Sequence, residues 1–129
     1  MKTGFDSAIN AAEDRGERAL ARRLKAENRM SVALVTACLK RGFVISVSDG
    51  EDWPVKRSEN KAEILAALFS TDEDVIVIRT EDGVKAGWFQ LIYGNDGHDV
   101  VSDYSSNDTC DAIWNEVLRP LSDKIEMAA

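Results

Sequence analysis

One histidine, two cysteines and two prolines are the whole supply of these residues in a chain of 129. The lone His98 excludes a multi-histidine metal site and confines histidine general-base chemistry to one residue in one loop. Cys38 and Cys110 have no second cysteine or histidine at ligand spacing, which excludes a zinc knuckle or a CxxC redox pair. Both sit in apolar helical patterns and are expected to pack as small hydrophobes, with free thiols, in a reducing compartment. No run approaches the roughly 18–20 apolar residues of a membrane span, and residues 1–6 lack the apolar core and cleavage site of a secretory signal, so a cytoplasmic protein without membrane contact is expected. A nucleophile elbow, a glycine-rich phosphate cradle, helix-turn-helix spacing and an RNP aromatic pattern are all missing. The acid-rich loops also lack the alternating oxygen ligands of an EF-hand calcium loop. No catalytic, cofactor-binding or metal-binding residue is therefore assigned, no cofactor is expected, and the balance of chemistry points away from an enzyme.

What the chain does carry is charge, unevenly placed. Residues 1–41 hold nine Lys/Arg against five Asp/Glu, whereas residues 42–129 hold seven against eighteen, within a net charge of −7. With 44% hydrophobic and 30% charged residues, the composition is that of one soluble domain spanning 1–129. It divides into a basic helical segment, 1–41, and an acidic α+β core, 42–129. Such an imbalance governs association and steering, and leaves the fold to the apolar pattern.

That pattern predicts a helix from Asp6 to Asn28, kinked or frayed at Gly16, a hinge at residues 28–30, and a second helix from Met30 to Lys40 with Ser31 as candidate cap and Gly42 as stop. Phe43 to Ser48 alternates as a strand, the Asp49-Gly50-Glu51-Asp52 turn follows, and Trp53 to Arg57 returns as an edge strand, because Pro54 cannot donate to a ladder. Ser58 opens a crossover helix to about Phe69, burying Ile64, Leu65, Leu68 and Phe69. The β-branched Val75 to Ile78 is a strand, paired through the Glu81-Asp82-Gly83 turn with Val84 to Tyr93. After Gly94-Asn95-Asp96-Gly97, residues 99–104 form a last, more exposed strand. Ser106 or Asn107 caps a helix through Leu118, and Pro120 stops or bends it before a final turn around Leu121 and Ile125. The order ααββαβββα gives an α+β domain with a largely antiparallel sheet of about five strands and helices packed on it. Neither face of Val84 to Tyr93 is plainly polar, so both are expected to be covered, one by the later helices and the other by the N-terminal helices or a second protein molecule.

Three features are candidates for function. Acidic residues gather at turns, and alternate turns of a meander share an end of the sheet, so Asp72, Glu73, Asp74, Glu81 and Asp82 are candidate steering groups for a basic protein partner, with Trp53, Trp88 or Phe89 as the apolar anchor. Turn chemistry alone also recruits aspartate. Arg15, Arg18, Arg22, Lys25 and Arg29 recur at helical steps and form a basic stripe, expected to pair with the acidic core in the same chain or across a homodimer. Phosphate contact is the less favoured use of the stripe, and nucleic acid an unlikely partner given the charge of the rest of the chain. The loop around His98, with Asp96, Asp99, Asp103, Ser102, Ser105 and Ser106 nearby, is the alternative place for a small ligand or an enzyme.

The DGE turn followed by VKRS, the LFSTDED junction, and the hairpin ending LIYGN with VSDYS after it resemble small uncharacterised α+β proteins of bacterial plasmids and prophages. The resemblance covers residues 43–105 and implies an accessory protein of a mobile element, of a kind that includes inhibitors of host defence occupying nucleic-acid sites. That group has no assigned activity, so it transfers no catalytic residue.

Overall fold

The computed structural model describes residues 3–128. Helices α1 (Asp6–Asp14) and α2 (Arg18–Lys40) are separated at Gly16, whose φ of 71° ends α1. The Gly16 amide donates to Glu13 O and the Glu17 amide to Ala12 O, the paired bonds of a glycine-terminated helix. Gly42 ends α2 the same way, with Phe43 N donating to Cys38 O and Gly42 N to Leu39 O. The hinge expected at residues 28–30 is absent, and α2 runs through it as 23 unbroken residues. Its buried line continues past that point through Leu24, Glu27, Ser31, Leu34 and Cys38, at alternating three- and four-residue steps. Ser31 is accordingly no cap: it lies in mid-helix and donates to Glu27 O at 2.8 Å.

The remaining elements are β1 (Val44–Ser48), β2 (Val55–Ser58), α3 (Lys61–Ala67), β3 (Glu73–Arg79), β4 (Lys85–Ile92), β5 (Val101–Tyr104), α4 (Asp108–Ile113), a π-turn (Trp114–Leu118) and α5 (Arg119–Ala128). The α+β class and the largely antiparallel five-stranded sheet stand as expected, in the order β2-β1-β3-β4-β5 with every neighbouring pair antiparallel. Helix α3 crosses over β1 to join β2 to β3. It begins after Ser58, because Asn60 is the residue whose side chain accepts the Glu63 amide. Both edge strands are short and irregular: β2 has four residues and a register shift beside Arg57, whose φ is 48°, and β5 has four residues and a shift opposite Gln90 and Leu91.

Pro120 does not stop the last helix. In a regular α-turn its ring would press on the Glu116 carbonyl. The wider π-turn immediately before it, closed by Arg119 N to Trp114 O, lets the chain continue to Ala128.

The register Ile45↔Ile78, Val47↔Ile76 and Ile76↔Phe89 puts these residues and Leu91 on one sheet face. They are fully buried in one cluster with Leu24, Leu34, Ile64, Leu68, Ile113 and Leu118 from the helices. Val44, Val77 and Trp88 on the other face are not part of that cluster. The N-terminal helices thus join the same layer as the later ones. The domain has two layers, and among the described residues no helix covers the second sheet face.

Candidate functional site

The acidic turns separate into two groups. The loop at Asp49 and the one at Asp72 meet at one end of the sheet, where Thr71 Oγ1 donates to Asp49 O at 3.5 Å, and Asp72 and Glu73 are exposed there. Glu81 and Asp82 lie at the opposite end, at the tip of the β3–β4 hairpin. Asp49 itself serves its own turn: Oδ1 accepts the Glu51 and Asp52 amides at 3.0 and 2.8 Å, which holds the carboxyl below its usual pKa.

Asp74 is not a surface group. Strand alternation turns it inward beneath Glu73, and it is 0% exposed. Its Oδ2 accepts from Tyr93 Oη at 2.6 Å and Phe69 N at 2.9 Å, while Oδ1 has no partner. Burial raises the Asp74 pKa against the opposing pull of both bonds, and burial also raises the Tyr93 phenol, followed by the field of Asp74. Asp74 fixes the α3–β3 corner, where Phe69 stacks on Phe5 and Tyr93 meets both rings edge-on. Phe89 is likewise excluded as an anchor, since it is 0% exposed on the helix-covered face.

At the centre of the other sheet face the half-buried Trp88 lies over Val77, which is itself buried, and neither belongs to the helix-side cluster. Toward β2, Ser46, Lys56, Arg57 and Arg79 border a hollow of about 200 Å3 together with Trp53, which is 45% exposed. Toward β5 the face turns acidic and polar, with Glu73 accepting from Gln90 at 3.0 Å and Asp103 opposite Gln90.

The basic stripe and the His98 loop, separate in sequence, converge on one cleft of about 640 Å3. Helix α2 lines it with Arg22, Arg23, Lys25 and Arg29, the β4–β5 loop with Asp96 and His98, and α5 with Ile125. Arg15 is excluded, because the break at Gly16 parts it from α2 and it pairs with Glu17 at 2.6 Å. Arg18 lies outside the cleft lining. Lys25 pairs with Glu13 of α1 at 3.1 Å, and among the described residues Arg22 and Arg29 have no ion pair. Within the chain, two members of the stripe are paired, Lys25 with Glu13 and Arg15 with Glu17, and among the described residues none pairs with residues 42–129.

Four contacts hold the cleft in shape. The Gly94 amide donates to buried Glu27 Oε2 at 2.7 Å. Gly97, with φ 94°, lies so close to α2 that a Cβ there would stand 2.8 Å from Ala26 Cβ and 3.0 Å from Arg23 O. Ser122 Oγ donates to His98 O at 2.9 Å, tying the loop to α5. The His98 ring is 20% exposed, with Nε2 3.4 Å from Glu126 Oε2. Arg23 Nε stands 3.7 Å from Glu27 Oε1, and each atom is buried without a hydrogen bond. Burial raises the Glu27 pKa from its ordinary value although the Gly94 amide and Arg23 oppose it.

Among the described residues no serine, threonine or cysteine lines the cleft. Ser102 is engaged with Gln90, and Ser105 with Trp88 N and Cys110, so neither hydroxyl serves His98. The arrangement can hold an anion, and it contains no nucleophile–base pair. Among the described residues no three His, Cys, Asp or Glu side chains gather closely enough to hold a metal, and no helix is long and apolar enough to cross a membrane. Cys38 and Cys110 are buried free thiols, and burial pushes the Cys38 pKa up to about 12. The chain matches no protein family, no curated protein and no solved structure.

Glu27 is the structural residue that charge counting passes over. Its position on the apolar line of α2, between Leu24 and Ser31, is the signal that marks it in the sequence.

Proposed function

We propose that the protein is a non-enzymatic interaction protein that docks a basic protein partner on its open sheet face. One observation carries this reading: the sheet face that bears the half-buried Trp88 is left uncovered by the described helices, beside the acidic end at Asp72 and Glu73. An aromatic anchor ringed by charge is the composition of an interface centre. The absence of a nucleophile–base pair in the cleft supports a binding role, and the free thiols support residence in the cytoplasm. The resemblance of residues 43–105 to plasmid and prophage proteins supports an accessory role for a mobile element, with a nucleic-acid-binding protein as the partner.

The test is affinity capture with the intact chain and two variants, Trp88→Ala and the charge reversal Asp72→Lys with Glu73→Lys. The same basic protein should be captured by wild type and lost by both variants, each shown by circular dichroism to be folded. A capture profile that neither variant changes would overturn the proposal.

A second copy of the chain is the other reading of this face, and a specific observation favours it. Lys56 and Arg57 lie on the edge strand β2, and Asp103 lies on the opposite edge strand β5. A two-fold axis along β3 would set each half against its opposite in the partner. A monomer mass in light scattering at micromolar concentration and low salt would rule this out.

A further inference from the structure

The cleft between α2, the β4–β5 loop and α5 has no role in docking on the sheet face, and its chemistry selects a ligand of its own. We infer that it is a binding site for a nucleoside phosphate. Its volume of about 640 Å3 falls in the range of small-molecule sites and suits a base with its sugar and phosphates. Arg22 and Arg29 are two helical turns apart on one side of α2, and their guanidinium groups are not neutralised by any ion pair among the described residues. A guanidinium offers a planar fork of donors that matches two phosphate oxygens. Arg23 adds a third cation, with a buried Nε that its distant contact with Glu27 leaves without a hydrogen bond. Among the described residues Asp96 is the one carboxylate lining the cleft, against Arg22 and Arg29, which are unpaired, and Arg23 and Lys25, which each have a glutamate partner.

Phosphate alone does not account for the walls. Leu20, Ala26 and Ile125 give the cleft apolar surface, which an inorganic anion would leave unused and a flat base would cover. The contacts of Gly94, Gly97 and Ser122 fix the loop and α5 against α2, so the site is formed before any ligand arrives and little ordering opposes binding. A nucleic-acid strand is disfavoured because its backbone would have to leave the cleft across a chain that carries a net charge of −7.

Calorimetric titration of the intact protein with ADP, with adenosine and with a single-stranded oligonucleotide tests the assignment. ADP should bind with a Kd below about 1 mM, adenosine should bind at least about tenfold more weakly, and Arg22→Ala with Arg29→Ala should weaken ADP by about tenfold or more. Arg18→Ala, on the same helix outside the cleft, should leave ADP binding unchanged. The amide resonances of Asn95 and His98 should move on addition of ADP, which locates the site without relying on the variants. No ADP binding at about 1 mM, equal binding of adenosine, or equal sensitivity to Arg18 and to the Arg22 and Arg29 pair would overturn the inference. Tighter binding of the oligonucleotide than of ADP would also overturn it, by giving the cleft to a polymer. Trp88 and Asp72 take no part in this experiment, so its failure leaves the docking proposal standing, and the reverse holds as well.

Discussion

Removing the Glu27 carboxylate tests whether one buried acid holds the β4–β5 loop against α2. Its Oε2 accepts the Gly94 amide at 2.7 Å in a fully buried setting. Glu27→Ala deletes a hydrogen bond to a charged acceptor and strands the amide, a loss of about 1.5–3 kcal/mol. For a domain of this size that is roughly 5–15 °C in Tm. Glu27→Gln keeps an acceptor at the same position and should cost far less. The two variants also differ in how they respond to pH. Burial raises the Glu27 pKa in the native state, so the native chain binds this proton more tightly than the unfolded chain. The stability contributed by that proton is complete below the unfolded value of about 4.3 and is lost as pH climbs through the raised native one. Glutamine cannot titrate, and Asp74, whose pKa is raised in the same direction, is common to both proteins and cancels in their difference. Wild type should therefore lose ground to Glu27→Gln as pH rises from about 4 to about 7. Thermal unfolding followed by circular dichroism across that range measures both effects. The reasoning fails if Glu27→Ala matches Glu27→Gln, or if the gap between wild type and Glu27→Gln moves the other way with pH.

Three further outcomes are expected. Tyr93→Phe removes the 2.6 Å bond to Asp74 and should cost about 1.5–3 kcal/mol in chemical denaturation, whereas a loss under about 0.5 kcal/mol would deny that bond its part in the α3–β3 corner. Gly87→Ala should destabilise, because a Cβ there collides with Cys110 Sγ and stands 2.8 Å from Ser105 Oγ; Cys110→Ala in the same chain should restore part of the loss, and no restoration would assign the cost to the backbone instead. Neither Cys38 nor Cys110 should react with a thiol reagent at pH 8 while the protein is folded, and both should react in denaturant, so rapid labelling of the native protein would contradict their burial.

Much of this architecture was legible from local chemistry. Gly42 marks a helix end, Pro54 marks an edge, and the turn at Glu81-Asp82-Gly83 sets the register of the central hairpin, whereas Gly16, expected to kink or fray one helix, divides it into two. The misplaced hinge has a definite cause: Asn28 and Arg29 are polar in a thin apolar stripe, yet Met30 and Leu34 carry the buried line onward and tertiary packing keeps the helix whole. Of the two outcomes expected at Pro120, the stop does not occur, because the local signal is absorbed by widening a turn. In β4, with apolar residues on both sides, alternation alone could not choose the inner face; the register with Ile76 and Ile78 does. That choice sends Phe89 inward and leaves Trp88 outside, so one of two adjacent anchor candidates is lost. Asp74 reads as one of three consecutive acids in a turn, and only the Tyr93 hydroxyl, nineteen residues away, distinguishes it from its neighbours. The cleft was visible only as two unrelated fragments, because the bond from Gly94 to Glu27 that unites them spans 67 positions.

Both margins of the sheet are poor templates for another ribbon. On one side a four-residue strand is preceded by proline and distorted at Arg57, and on the other a four-residue strand slips register. A stray polypeptide seeking backbone partners finds few in line there, which guards the molecule against stacking sideways into fibres. Growth in that direction is disfavoured, which leaves the broad faces and their side chains as the more accessible ground for assembly.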